Sequence, residues 1–134
     1  MKKISLIILA LTITLGACKK GGLSENAPAN NDPNYDAHHN IFRLKASSTA
    51  QFKVTIIEYG NDGVTPYNTE RAEQTTAFDY GFTPIIGHKI SVAIESENGL
   101  ISSNAMYKGI MLDAVTIKAT GNGSTGSFTY IVPN

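Results

Sequence analysis

From Phe42 onward the chain alternates between apolar and polar positions. Phe42, Leu44 and Ala46 alternate with Arg43 and Lys45, and Phe52, Val54 and Ile56 with Lys53 and Thr55. A period of two predicts strands with one face buried. Tyr59-Gly60-Asn61-Asp62-Gly63 carries turn chemistry, and a short extended piece follows from Val64 to Tyr67, where Pro66 suits a sheet edge. Phe78, Tyr80 and Phe82 alternate with Asp79 and Gly81, Pro84 to Gly87 reverses the chain, and Ile90, Val92 and Ile94 alternate with Ser91, Ala93 and Glu95. Asn98-Gly99 predicts a tight hairpin, since both residues tolerate the positive φ of a primed turn. Residues 102–108 and 110–118 read as extended around Gly109, and residues 127–132 close the chain with Phe128, Tyr130 and Val132 on one face. No window of ten residues carries a helical apolar period, and no internal repeat is present. Seven to eight strands over residues 41–134 therefore predict an all-β, antiparallel, immunoglobulin-like β-sandwich.

The sequence ahead of this domain has two further parts. Residues 18–40 are rich in Gly, Asn, Pro, Ser and Ala, with Gly21-Gly22, Pro28 and Pro33 and few large apolar side chains. Such a segment buries too little surface to offset its ordering entropy, so it is expected to be a flexible tether, with an r.m.s. reach of roughly 25 Å. At the N-terminus, Lys2 and Lys3 precede an apolar run from Ile4 to Leu15. That run falls short of the ~20 residues of a spanning helix and reads as an export signal over residues 1–17.

Leu15-Gly16-Ala17-Cys18 closes this signal and resembles the lipobox of bacterial lipoproteins. The resemblance implies cleavage before Cys18, with diacylglycerol carried on its thiol. At ~0.8 kcal/mol per buried methylene, two or three acyl chains make a stable membrane anchor. Signal and chain together are similar to small lipoproteins of Bacteroidota. Lys19 after the cysteine leans toward the outer membrane. In lipoproteins of that type acidic residues soon after the Cys accompany surface export, and with the first acid only at Glu25 the resemblance implies the periplasmic leaflet in preference to the cell surface. The domain resembles the MmpS-like transport accessory proteins in the stretch Phe52 to Tyr59 with its Asn-Asp-Gly turn, in Phe78 to Phe82, in Gly87 to Ile94 and around Tyr107-Lys108-Gly109. That resemblance implies a small sandwich fold. Where that family has a transmembrane helix, this chain has the lipobox.

Composition narrows the function classes. The 134 residues hold 11 basic and 11 acidic side chains, one Cys and no Trp. Removing Lys2 and Lys3 with the signal leaves 9 basic residues against 11 acids, a net −2 before the histidines. This balance excludes a basic nucleic-acid face. A single cysteine excludes a disulfide scaffold and any site of several thiolates.

The chemical motifs are sparse. Gly121-Asn122-Gly123-Ser124-Thr125-Gly126 matches GxGxxG, yet the eight residues after it read as a strand where a phosphate-binding helix is required, so a hairpin connection is expected. Asp36, His38 and His39 carry metal-ligand chemistry but lie in the tether, where no preorganised shell exists, and are expected to be solvated. No GxSxG elbow is present, and Ser124 and Ser127 are expected to be loop formers. Glu58 and Asp79 lie within apolar strand patterns and are the carboxylates to inspect for burial, with outward-facing positions expected. His88 is expected at the surface at a strand start. Of the aromatic residues Tyr59, Tyr67, Tyr80, Tyr107, Tyr130, Phe78 and Phe82, most are expected to pack in the core. Tyr67 and Tyr107, beside turn residues, are the candidate ligand contacts. Nothing calls for a cofactor or a metal. The expected function is a lipid-anchored, non-enzymatic cell-envelope module that recognises a protein partner. The alternatives are a small envelope hydrolase and a structural spacer or assembly subunit.

Overall fold

The alternating segments pair into two antiparallel sheets. The computed structural model describes residues 32–112 and 115–134. In chain order the elements are a short helix, α1 (Pro33–His38), and nine strands: β1 (Phe42–Ser48), β2 (Phe52–Tyr59), β3 (Pro66–Gln74), β4 (Ala77–Phe82), β5 (Lys89–Ser96), β6 (Ile101–Tyr107), β7 (Ile110–Met111), β8 (Thr116–Thr120) and β9 (Gly123–Ile131). One sheet has the order β4-β1-β6-β7 and the other β3-β2-β5-β9-β8. The result is a β-sandwich. β1 and β6 are the inner strands of one sheet, and β2, β5 and β9 those of the other.

The inward phase is the one the alternation predicts. Phe42 and Leu44, Val54 and Ile56, Phe78 and Phe82, and Ile90, Val92 and Ile94 are all buried in one core, which Ala105, Tyr107 and Val132 complete. Tyr130 stacks on Phe42 across the two sheets, with ring centroids 6.3 Å apart. No helix among the described residues is long and apolar enough to cross a membrane.

Four details differ from the sequence reading. The extended piece expected at Val64 to Tyr67 is loop up to Thr65, and Pro66 starts a nine-residue edge strand, β3, whose polar residues from Asn68 to Gln74 hide its strand character. Asn98-Gly99 does not form a hairpin. It carries the chain from β5 in one sheet to β6 in the other, and Gly99 is needed for space, since a Cβ there would meet the Ser48 and Ser96 hydroxyls and the Ala50 backbone nitrogen. Residues 110–118 are not one strand but two, with β7 in one sheet and β8 in the other.

The fourth difference concerns the tether expected over residues 18–40. Its last residues belong to the folded domain. Asp32 caps α1 by accepting a hydrogen bond from the Asn34 N–H at 2.9 Å, and Pro33 occupies the first turn. The helix covers the outer face of β1 and buries Arg43, which alternation alone placed in solvent. Residues 1–31, which include the expected signal, Cys18, Lys19, Lys20 and Glu25, lie outside the described residues.

Register defines the two ends of the sandwich. Tyr59 pairs with Lys89, Lys89 with Ile131, and Phe42 with both Phe82 and Tyr107. These pairs bring the 60–65 and 83–88 loops, the Lys108-Gly109 turn and the chain's last residues to one end. Pro33 packs against Gly109, so α1 enters there too. The 49–51, 75–76, 97–100 and 121–122 connections lie at the far end, joined by bonds such as Thr49 N–H to the Leu100 carbonyl.

Candidate functional site

Two titratable side chains meet at the α1 end of the core. Glu58 continues the inward phase of Phe52, Val54 and Ile56, and His88 continues that of Ile90, Val92 and Ile94. Both are therefore buried, Glu58 at 1% exposure and His88 at 6%. Antiparallel pairing of β2 and β5 sets Glu58 opposite Ile90, two residues beyond His88, within reach of the ring. Glu58 Oε1 accepts from the His88 ring at Nδ1, 2.9 Å away, and from the Ile85 N–H at 2.8 Å. Tyr67, at the start of β3, stands edge-on to the imidazole with centroids 5.0 Å apart.

Neighbouring turns frame this pair. Asp62 accepts backbone hydrogen bonds from Val64 and Thr65, each at 2.9 Å, and a further one from the Thr65 hydroxyl. These donors push its carboxyl down to about 2. Lys89 lies over the Tyr59 ring, 4.7 Å from its centroid.

An orienting carboxylate on a histidine is half of a nucleophile-activating arrangement. Among the described residues no Ser, Thr or Cys side chain hydrogen-bonds to His88 to supply the other half. Two surface clefts, of about 430 and 350 Å³, lie elsewhere. The larger is at the far end, between Gln51, Lys53, Glu73, Glu95, Glu97 and Asn98. The smaller runs beside β4 over Lys45, Ser47, Asp79 and Ser103.

The other candidates separate. Asp79 is not beside Glu58 or His88. It lies on the outer face of the opposite sheet, where it accepts from Arg43 Nη1 at 2.7 Å and lies 3.5 Å from Lys45 Nζ. Asp36 is buried rather than solvated. Its two oxygens take Arg43 Nε and Nη2 at 2.7 and 2.8 Å, and the two carboxylates hold the guanidinium still more firmly in its charged form. His38 and His39 are exposed, and His39 stacks on Tyr35 instead of converging with Asp36. Among the described residues no three His, Cys, Asp or Glu side chains come together as a metal site.

Tyr107, the second candidate ligand contact, is a core residue. It is buried against Tyr130, with centroids 5.6 Å apart, and burial pushes its phenol up. Tyr67 is exposed, as a ligand contact requires. The expected outward position for Glu58 and the expected surface position for His88 are both overturned by the inward phase of their strands.

The GxGxxG match is a hairpin. Gly121 and Asn122 form its two-residue loop between Thr120 and Gly123, and Gly121 takes φ +61°, as the first position of a II′ turn requires. A Cβ on Gly123 would strike the Ser96 and Glu97 carbonyls, and one on Gly126 would meet the Ile117 and Val115 side chains. Ser124 is buried, donating to the Gly99 carbonyl at 2.7 Å and accepting from the Ile101 N–H at 3.0 Å.

Comparison of the chain with protein-family models, with curated proteins and with solved structures finds no match.

Proposed function

We propose that this chain is a lipid-anchored, non-enzymatic envelope module that recognises a protein partner through the open edge of β8. The anchor reading rests on the lipobox-like Leu15-Gly16-Ala17-Cys18. The recognition reading is carried by the contrast between the two edges of the five-stranded sheet. Edge strand β3 begins with Pro66 and bears Glu70, Arg71 and Glu73, features that discourage strand addition. The opposite edge strand, β8, reads Thr-Ile-Lys-Ala-Thr, is exposed along its whole length, and has Lys118 as its only charge. β-Branched residues on an edge that no other described strand covers suit pairing with an extended partner segment. Glu58 and His88 support a structural role, since they pair with each other and with a backbone N–H away from either cleft.

The test is a photo-crosslinking side chain placed at Ala119 in β8 and, separately, at Arg71 in β3, in cells producing the full chain. The reading predicts one discrete crosslinked product from position 119 and none from position 71. Equal labelling from both edges, or none from either, contradicts it.

A further inference from the structure

Large apolar side chains are unevenly distributed over the surface. Of the nine that are exposed among the described residues, Val64, Tyr67, Ile85, Ile86, Ile110 and Ile131, with Met111 beside Ile110, cluster toward the α1 end. They are 42% to 71% exposed and come from separate segments: the 60–65 loop, the start of β3, the 83–88 loop, β7 and the end of β9. The loops that carry them touch one another. Gly87 lies beside Asn61, and its N–H donates to the Val132 carbonyl at 3.0 Å. A convergent set of exposed aliphatic groups of this kind marks an interaction surface.

The route of the chain says what covers it. The polypeptide enters the domain at this same end, where Pro33 is wedged against Gly109 and Asp36 is locked to Arg43. Residues 19–31 are all that separates Cys18 from Asp32. Thirteen residues span at most about 45 Å even when fully extended, whereas a nine-residue strand is already about 30 Å long. An anchor at Cys18 therefore draws the α1 end toward the bilayer, and facing the other way would spend most of the lead on running past the domain.

Charge agrees with this direction. The far end gathers Glu73, Glu95 and Glu97 against Lys53 around its cleft, a face that an anionic leaflet repels. Among the described residues, the solvent-facing charges of the α1 end are Lys89 and Lys108 against Asp32 and Asp62, a balance that leaves the contact to the aliphatic side chains.

We infer that the α1 end is the membrane-facing end of the domain, with Val64, Ile85, Ile86 and Ile131 seated in the lipid interface and the acidic cleft and far end turned away from it. This rests on the reading of Cys18 as the acylated residue. Shallow insertion of several aliphatic groups beside a lipid anchor fixes the orientation of a domain that the anchor alone leaves free to tumble.

The experiment uses the mature protein extracted from membranes and reconstituted in phosphatidylethanolamine–phosphatidylglycerol vesicles. An environment-sensitive bimane probe is placed on Ile86→Cys, Val64→Cys or Asn98→Cys in turn. Intact mass of the N-terminal peptide reports acylation independently. The inference predicts a blue shift and strong quenching by headgroup-proximal doxyl lipid at positions 64 and 86. At position 98 the probe should stay in water, and Ile85→Glu should abolish the quenching at 86. Three outcomes overturn it: acylated protein whose 64 and 86 probes remain in water; shielding that appears only as protein concentration rises, which assigns the surface to a second copy; and shielding that appears only with a protein partner. Absence of the acyl mass refutes the anchor itself and, with it, the orientation.

Discussion

Arg43 Nε and Nη2 hold both carboxylate oxygens of Asp36, at 2.7 and 2.8 Å, across the outer face of β1. The arginine is fully buried and also donates to Asp79 from its third nitrogen. Gly81 is its register partner on β4. This ion cluster fastens the segment before the first strand to the sandwich. Removing one member of a buried ion cluster is costly because the remaining charge stays in place. Asp36→Ala is expected to cost about 3 kcal/mol in urea unfolding at neutral pH and to free the α1 amides for rapid hydrogen exchange. A loss under about 1 kcal/mol would show that the helix is held by something else.

Tyr80 is buried in the core, and its hydroxyl has no hydrogen-bond partner. A buried unpaired polar group is a net cost, so Tyr80→Phe is expected to stabilise the fold by about 1 kcal/mol. Burial also raises the folded-state phenol above its ordinary value of 10.0. The unfolded chain then releases this proton first as pH rises, and the tyrosine's contribution to stability is present below pH 10 and lost above it. Tyr80→Phe should therefore flatten the alkaline fall in stability, as followed by denaturant midpoints between pH 9 and about 11.5. An unchanged alkaline slope would contradict this.

Asp62 titrates in the opposite sense. Its folded pKa of about 2 lies below the ordinary value of 3.8. The stability it contributes is complete above the unfolded value and is lost as pH falls through the folded one. The difference in Tm between the wild-type chain and Asp62→Asn should be present at pH 6 and close between about pH 4 and 2. A difference independent of pH would mean that the carboxylate charge is not what organises the 60–65 turn.

The glycines of the GxGxxG stretch should divide by geometry and not by any nucleotide role. Gly123→Ala drives a Cβ into the Ser96 and Glu97 backbone and is expected to cost about 1–3 kcal/mol. Gly121→Asn finds open space but must hold φ +61° at the first position of the II′ turn, so it is expected to cost about 1–2 kcal/mol through backbone conformation alone. No loss at either position would contradict the hairpin account.

Much of the sandwich was legible in the chain because period-two alternation is a direct image of a half-buried strand. The same pattern held the position of Glu58 and His88, which share the inward phase of Ile56 and Ile90, but their polarity argued for solvent. Their meeting depends on the register of β2 with β5, which no local motif encodes. Arg43 was hidden for a different reason. It occupies the outward phase, and only a helix folded over that face buries it. The Asp32-Pro33 pair, a cap followed by a first-turn proline, was the available signal for that helix, outweighed by the Gly- and Asn-rich composition around it. Strand β3 was missed because an edge strand facing water carries charges in place of an apolar stripe.

The central claim, an anchored module that holds one protein partner, is tested most directly by in-cell crosslinking followed by affinity capture and quantitative mass spectrometry, with Cys18→Ser alongside. The account predicts one envelope protein recovered in stoichiometric amount with the wild-type chain and lost with Cys18→Ser. Recovery of no stoichiometric partner, or of the same partner in both samples, would contradict it.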